Sequence, residues 1–198
     1  MTLRDGMADL ITRLRSMGDA GTADYTLGSE TYWTDDQLQD VLDGHRDDIR
    51  RERLMMAPEV AAGNVTEYRE FVWRGGGDVE GAASGSEAWL VQDSTGTSYG
   101  TAGTPAYTPN YRASRLRFDA DLGGTALFLS YRVFDLERAA TEVWEQKAAH
   151  VSSRYDIATD NHKLSRSQLR RGYLEMAALH RRRAKVHISR RVRDDVNP

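Results

Sequence analysis

The chain has 198 residues, of which 39% are hydrophobic and 29% charged, so it can bury a modest core and is too apolar to be wholly disordered. Cysteine is absent, which excludes disulfides, thiolate zinc sites and cysteine nucleophiles. The sequence has no apolar run of about 18 residues and no signal-peptide pattern at its start. We therefore expect no membrane partner and synthesis in the cytoplasm.

The net charge of −3 conceals a strong asymmetry along the chain. Residues 1–48 carry eleven acidic and four basic side chains, whereas residues 163–193 carry eleven basic side chains and one acidic one. Such a division favours head-to-tail contacts between copies of the chain, or a basic face turned toward a polyanion. For any single charge, a solvated helix face is an equally good interpretation.

The first third of the chain predicts two helices. Apolar side chains recur every three to four residues over 3–17, which is typical of an amphipathic helix. Thr34 and Gln37 have the spacing of a capping box and predict the start of a second helix. Its apolar pattern continues as far as Met55, and Pro58 is the expected break.

The middle of the chain predicts strands. Residues 66–73, 88–92, 112–118 and 125–133 are rich in β-branched, aromatic or alternating side chains and are separated by glycine-rich turns. Residues 93–111 contain no aliphatic side chain larger than alanine and predict a long loop. Four strands with polar turns indicate a small antiparallel sheet inserted between helical segments.

The last third predicts two more helices, over 135–154 and from a second capping box at Ser165 and Gln168 to about residue 183. A short, extended, basic tail follows. The predicted fold is α+β: an antiparallel bundle of about four helices with a small inserted antiparallel sheet and an extended C-terminal arm. Its segments are 1–60 for the N-terminal helices, 61–134 for the insertion, 135–184 for the C-terminal helices and 185–198 for the arm.

Side chains suited to metal binding are few. His162 lies near Asp156 and Asp160 in sequence, but the ligands are scattered, and a structural loop is the favoured interpretation. His180 falls on the apolar face of the last helix, which indicates a buried structural histidine.

Signatures of catalysis are also few. Glu142 and Glu145 are spaced like di-iron carboxylates, but the sequence has no Glu-x-x-His partner motif. Residues 75–78 lack the lysine and hydroxyl residue of a phosphate loop. We therefore predict no catalytic, metal or cofactor-binding residue and no enzymatic activity; a metal-dependent hydrolase is a weaker alternative.

The order and spacing of several motifs resemble the head-to-tail connector (adaptor) proteins of long-tailed double-stranded DNA bacteriophages. The resemblance covers residues 3–56 and 135–185. The compact helical members of the family do not match the sheet region over 66–133, although related connectors can carry a β insertion there. The motifs that carry it are Trp33-Thr-Asp-Asp-Gln-Leu-Gln-Asp40, Ala139-Ala-Thr-Glu-Val-Trp-Glu-Gln-Lys-Ala148, Tyr155-Asp156, Leu164-Ser-Arg-Ser-Gln168, Tyr173-Leu-Glu-Met-Ala-Ala178 and Arg181-Arg-Arg183.

The resemblance implies a structural role in the virion, reached after assembly in the host cytoplasm. Such connectors form a ring, commonly of twelve copies, that binds the portal, extends the double-stranded DNA channel and presents a surface to a stopper or tail-terminator protein. It also implies that the C-terminal arm docks onto the portal. The residues of this predicted portal-binding arm are Lys185, Val186, His187, Ile188, Arg190, Arg191, Val192 and Arg193.

In such a ring, acidic residues of one copy are expected to meet basic residues of the next. The loop over 93–111 is expected to become ordered only against a neighbour or a tail protein. The predicted inter-subunit acidic residues are Asp35, Asp36, Asp40 and Asp43. The predicted inter-subunit or DNA-facing basic residues are Arg170, Arg171, Arg181, Arg182 and Arg183. The alternative function is a DNA-binding protein that acts through its basic C-terminal segment.

Overall fold

The structure is a computed structural model that describes residues 3–21, 24–27, 29–76, 78–152, 157–159, 162–164 and 166–184. The predicted portal-binding arm lies entirely outside the described residues. So do Ser165 of the second capping box and Asp156 and Asp160 beside His162.

The described helices bracket a central region of strands. Thr34 begins the second helix with the predicted capping box: the Gln37 amide donates to Thr34 Oγ1 at 3.4 Å, and the Thr34 amide donates to Gln37 Oε1 at 3.1 Å. Among the described residues, no helix has the length and apolar character needed to span a bilayer. The helices are α1 (Ala8–Gly18), α2 (Asp35–Asp43), α3 (Leu136–Ser152) and α4 (Arg166–Arg183), with 3-10 turns at Asp5–Met7 and Ala82–Ser84.

All described strand pairs are antiparallel. The strands are β1 (Tyr25–Leu27), β2 (Glu30–Tyr32), β3 (Arg46–Arg53), β4 (Met55–Ala61), β5 (Val65–Val72), β6 (Trp89–Asp93), β7 (Ser98–Tyr99), β8 (Tyr107–Asn110), β9 (Arg115–Phe118), β10 (Leu127–Phe134), β11 (Ile157–Thr159) and β12 (His162–Leu164). The first large sheet has the order β3-β10-β6-β7, and the second has the order β4-β5-β9-β8. Two small ribbons, β1-β2 and β11-β12, complete the described pairings.

The predicted architecture, a helical bundle with a small inserted sheet, is wrong. The protein is α+β with four described helices and two four-stranded sheets, and the sheets have a hydrophobic core of their own. The sheets are therefore a large part of the fold.

Part of this error lies in the predicted second helix. It ends at Asp43, and β3 then begins at Arg46 and pairs with β10 from Arg46 to Arg53, with one register shift on the way. Seven of the eight residues of β3 are charged, and β3 is an edge strand. Because an edge strand gains its order from backbone pairing on one side, it needs little of the apolar alternation that marks a buried strand.

The expectation that residues 93–111 become ordered only against a neighbour is also wrong. β7 pairs with β6, and β8 pairs with β9 over four residues from Tyr107 to Asn110. Pro109 fits because β8 is an edge strand, where a missing amide donor is tolerated. This segment is held by hydrogen bonds within the chain.

Two clusters of buried side chains stabilise the fold. The helical core lies between α1, α2 and α3, and the sheet core lies between the two large sheets. Burial raises the pKa of Tyr107, a member of the sheet core, to about 12. The helical core contains Met7, Leu10, Ile11, Leu14, Ala20, Trp33, Leu38, Val41, Leu42, Phe134, Leu136, Ala139, Ala140 and Val143. The sheet core contains Leu54, Phe71, Trp73, Val79, Trp89, Val91, Tyr107, Leu116, Phe118, Leu127, Leu129 and Tyr131.

A seam of polar contacts joins the two cores. Arg4 Nε donates to the fully buried Glu80 at 2.6 Å, and its terminal nitrogen pairs with Asp43 of α2 at 2.6 Å. The hydrogen bonds that Arg4 donates to the carboxylates of Asp43 and Glu80 raise the pKa of Arg4 above its usual range. The backbones of Gly6 and Gly81 also touch, since the Gly81 amide donates to the Gly6 carbonyl at 3.1 Å. The helices and sheets are therefore fixed relative to each other.

Candidate inter-subunit surfaces

Two of the predicted acidic contact residues are already paired within the chain. Asp35 accepts a hydrogen bond from Arg15 of α1 at 2.5 Å. Asp43 is held by Arg4 at the seam, and Arg46 lies 3.8 Å from it. These two carboxylates stabilise the N-terminal fold, so they have little free charge to offer a neighbour.

The other two predicted acidic residues, Asp36 and Asp40, have a different environment. Both are exposed on α2, and their spacing of four residues places them on one face of the helix. Within the described part of the chain, neither makes an ion pair. Together they form a small acidic surface that is open to a partner.

The predicted basic residues on α4 divide in the same way. Arg171 pairs with Glu175 at 3.0 Å along the helix, and Arg181 pairs with Glu145 of α3. In contrast, Arg170, Arg182 and Arg183 are exposed and form no ion pair with any described residue. The exposed arginines of α4 without an ion pair in the described structure are therefore Arg170 near its start and Arg182 and Arg183 at its end.

The inner side of α4 is fixed against α3. The Tyr173 and Trp144 rings lie 5.4 Å apart between centroids, and Ala177 is buried. His180 is 5% exposed, and its Nδ1 lies 2.7 Å from Glu137 Oε2, which confirms the predicted structural histidine. This packing determines which side chains of α4 remain outside.

Exposed apolar side chains are concentrated on two elements and were missed by the sequence analysis. Seven of the eight large exposed apolar residues in the described part of the chain lie either on α4 or on the β4–β5 hairpin. On α4, Leu169, Met176 and Leu179 are seven and then three residues apart. This helical spacing was the signal in the sequence for an apolar stripe outside the core. Those on α4 are Leu169, Leu174, Met176 and Leu179, and those on the hairpin are Met55, Val60 and Val65.

A groove of about 460 Å³ lies where α1, β3 and the start of α3 meet, with Arg183 at its margin. Most of its lining is apolar, including Met17 and Ile49. Arg13 and Asp78 in its wall pair with each other at 2.5 Å. Although most of the lining surface is apolar, six of the twelve lining residues are charged, so the groove is mixed in character.

The carboxylates of α3 have structural partners. Glu142 lies 2.9 Å from His45 Nε2 and accepts a hydrogen bond from Gln146 at 2.9 Å, while Glu145 binds Arg181. In the described ranges, no three side chains among histidine, aspartate and glutamate form a group suited to a metal ion. Glu142 and Glu145 thus tie α3 to the turn that follows α2 and to α4.

Comparison of this chain with known proteins finds no matching family model, no matching curated protein and no matching solved structure. Its function must therefore be inferred from its own residues and surfaces.

Proposed function

We propose that this chain is a structural virion protein that forms a ring between the portal and the tail and extends the DNA channel. The observation that carries the proposal is two sets of exposed charges without an ion pair among the described residues: Asp36 and Asp40 on α2, and Arg170, Arg182 and Arg183 on α4. The motif resemblance to phage connectors supports the same role. The proposed partners are the portal, a stopper or tail-terminator protein, further copies of the chain, commonly twelve in such rings, and the DNA in the lumen.

Opposite charges on different elements suit a head-to-tail contact. Such a contact uses one surface on each side and closes into a ring when the rotation between copies allows it. An exposed ion pair contributes less than about 1 kcal/mol, so a single contact of this kind is weak. Repetition around a closed ring lets weak contacts act together.

The contact can be tested by reversing one charge. Asp40→Lys places a cation opposite the basic surface of α4, and we expect the ring to dissociate toward monomers. Glu87→Lys is the control, because the Glu87 side chain is 91% exposed and its ion pair with Arg132 is long, at 4.0 Å. Molar mass by light scattering reports the outcome. An unchanged mass for Asp40→Lys would contradict the proposed contact.

Portal binding is tested by co-expression with the portal protein of the same viral genome. We expect the full chain to be captured with the portal after nuclease treatment, and a chain ending at Ala184 to lose this capture. Failure of the full chain to bind the portal would contradict the proposed connector role.

The second candidate is a DNA-binding protein, and the exposed Arg182 and Arg183 at the basic end of α4 are the observation in its favour. Its affinity for double-stranded DNA should fall steeply with salt, with a slope of about −0.9 per phosphate neutralised. Titration of labelled DNA at two or more salt concentrations separates the candidates. Tight, salt-sensitive DNA binding without ring formation would favour this second function.

A further inference from the structure

The β4–β5 hairpin projects from its sheet. β9 pairs only with Glu70, Phe71 and Val72 of β5, and loop hydrogen bonds extend this support to Tyr68. Beyond Tyr68, the two strands are each other's only backbone hydrogen-bond partners in the described structure. An isolated two-stranded hairpin is marginally stable in water, so a contact at its end would stabilise it.

The end of this hairpin is uncharged and apolar. Residues 60–65, which we call the hairpin tip, have the sequence Val-Ala-Ala-Gly-Asn-Val. Val60 is 74% exposed and Val65 is 57% exposed. Val60 lies opposite Thr66 and Val65 opposite Ala61, so the two valines project from opposite faces of the ribbon. Such a tip is suited to insertion between two apolar side chains.

α4 presents a matching surface. Leu169, Met176 and Leu179, which we call the α4 stripe, lie on one flank of the helix and are all exposed. Leu169 and Met176 are about 10 Å apart along the axis at 1.5 Å per residue. Gly172 lies between them, and a Cβ built there would meet nothing within 4 Å. The stripe therefore has an open notch with an apolar side chain at each end.

We propose that the hairpin tip of one copy docks on the α4 stripe of the next copy. Five of the eight large exposed apolar residues in the described structure lie on the hairpin tip and the α4 stripe, and a head-to-tail contact requires two different patches. The three glutamates of the hairpin strands are paired with arginines of the same chain, so the proposed contact rests on the apolar side chains alone. This inference deepens the proposed ring by naming its apolar contact.

The absence of cysteine allows a direct cross-linking test. Val60→Cys and Met176→Cys are made in separate chains, mixed, and treated with a short bis-maleimide. We expect cross-linked dimers in severalfold higher yield than with Val60→Cys and Leu174→Cys. Leu174 is the matched control, because it is 43% exposed against 36% for Met176 but lies on the other flank of α4. Equal yields for the two mixtures would overturn the contact.

A second variant fills the notch. Gly172→Leu adds a Cβ that meets no atom within 4 Å and improves helix propensity, so the melting temperature should rise. Assembly should nevertheless be lost, because the leucine occupies the place of the hairpin tip. Retention of full-size particles by this variant would contradict the inference.

The two proposals fail in different ways. Particles of ring size without the Val60–Met176 cross-link would support the proposed ring and contradict this contact. The cross-link without ring-sized particles would support the contact and contradict the proposed ring. Cross-linking of Val60→Cys to a co-expressed portal in place of a second copy would assign the hairpin tip to the portal and overturn the inference.

Discussion

The helical core is mainly aliphatic, whereas the sheet core contains six buried aromatic side chains from both large sheets. Around Trp89, ring centroids lie 5.2 Å from Trp73, 5.3 Å from Tyr111 and 6.0 Å from Tyr131. Short strands bury few residues each, so large rings supply the area that long helices obtain from many leucines. Truncation of one buried side chain should therefore lower the free energy of unfolding more in the sheet core than in the helical core.

The largest expected effect tests this difference directly. Phe71→Ala removes a fully buried ring that contacts Phe118 at 5.6 Å, and we expect a loss of about 4 kcal/mol in the free energy of unfolding. Leu14→Ala is the counterpart in the helical core, with an expected loss of about 3 kcal/mol. Urea denaturation measures both. A larger loss for Leu14→Ala would reverse the comparison.

Because the seam joins the two cores, we expect both cores to unfold in one transition. Arg4→Ala leaves the buried Glu80 without its closest cation and should cost about 2–3 kcal/mol. Arg112→Ala is the control: its side chain is 79% exposed, and the loss should stay below about 1 kcal/mol. Fluorescence and circular dichroism should give coincident unfolding curves for the wild type. Separate transitions would show that the cores are independent.

Tyr107 makes the sheet core sensitive to alkaline pH. Burial raises its pKa from 10.0 to about 12, so the unfolded chain releases the phenolic proton at lower pH than the folded chain does. Stability from this group is present below pH 10 and falls as the pH rises from 10 to about 12. Tyr107→Phe should flatten this decline, as measured by urea midpoints across that range.

At neutral pH, the same substitution should cost about 1–2 kcal/mol. Trp89 Nε1 donates to the Tyr107 hydroxyl at 3.1 Å, and the variant leaves this buried donor unpaired. Tyr68→Phe is the control on the more open hairpin side of the second sheet. An equal pH dependence in wild type and Tyr107→Phe would assign the alkaline decline to other groups.

The smallest expected loss of stability is in the helical region. Thr34→Ala removes the hydroxyl of the capping box of α2 and should cost about 1 kcal/mol. Thr12→Ala is a suitable control, since the Thr12 hydroxyl only donates to the Ala8 carbonyl on an exposed face of α1. A loss at Thr34 no larger than that at Thr12 would mean that the cap contributes little.

Helices and buried strands were predictable because their signals are local. The capping box at Thr34 and the apolar period of α3 lie within one element, and β10 alternates clearly. β3 and β4 were missed for physical reasons. β3 is charged and paired on one side only, while Pro58 in β4 lies at a register shift that a strand pattern does not predict.

The charged surfaces were predictable only in part. Charge counts indicated acidic and basic ends, but which carboxylates remain open depends on tertiary partners such as Arg15 for Asp35. The hairpin tip lay inside the predicted insertion, where exposure depends on how far β9 supports β5. Long-range pairing of this kind has no local signature in the sequence.

The charged edge formed by β3 has a consequence for crowding. A bare sheet edge invites strands from other molecules, and such pairing leads to aggregation when many copies are concentrated at one place. Seven charged residues along β3 oppose this through the cost of removing water from each charge. Many copies can then gather without pairing through this edge. Assembly is left to contacts between side-chain surfaces, which are reversible.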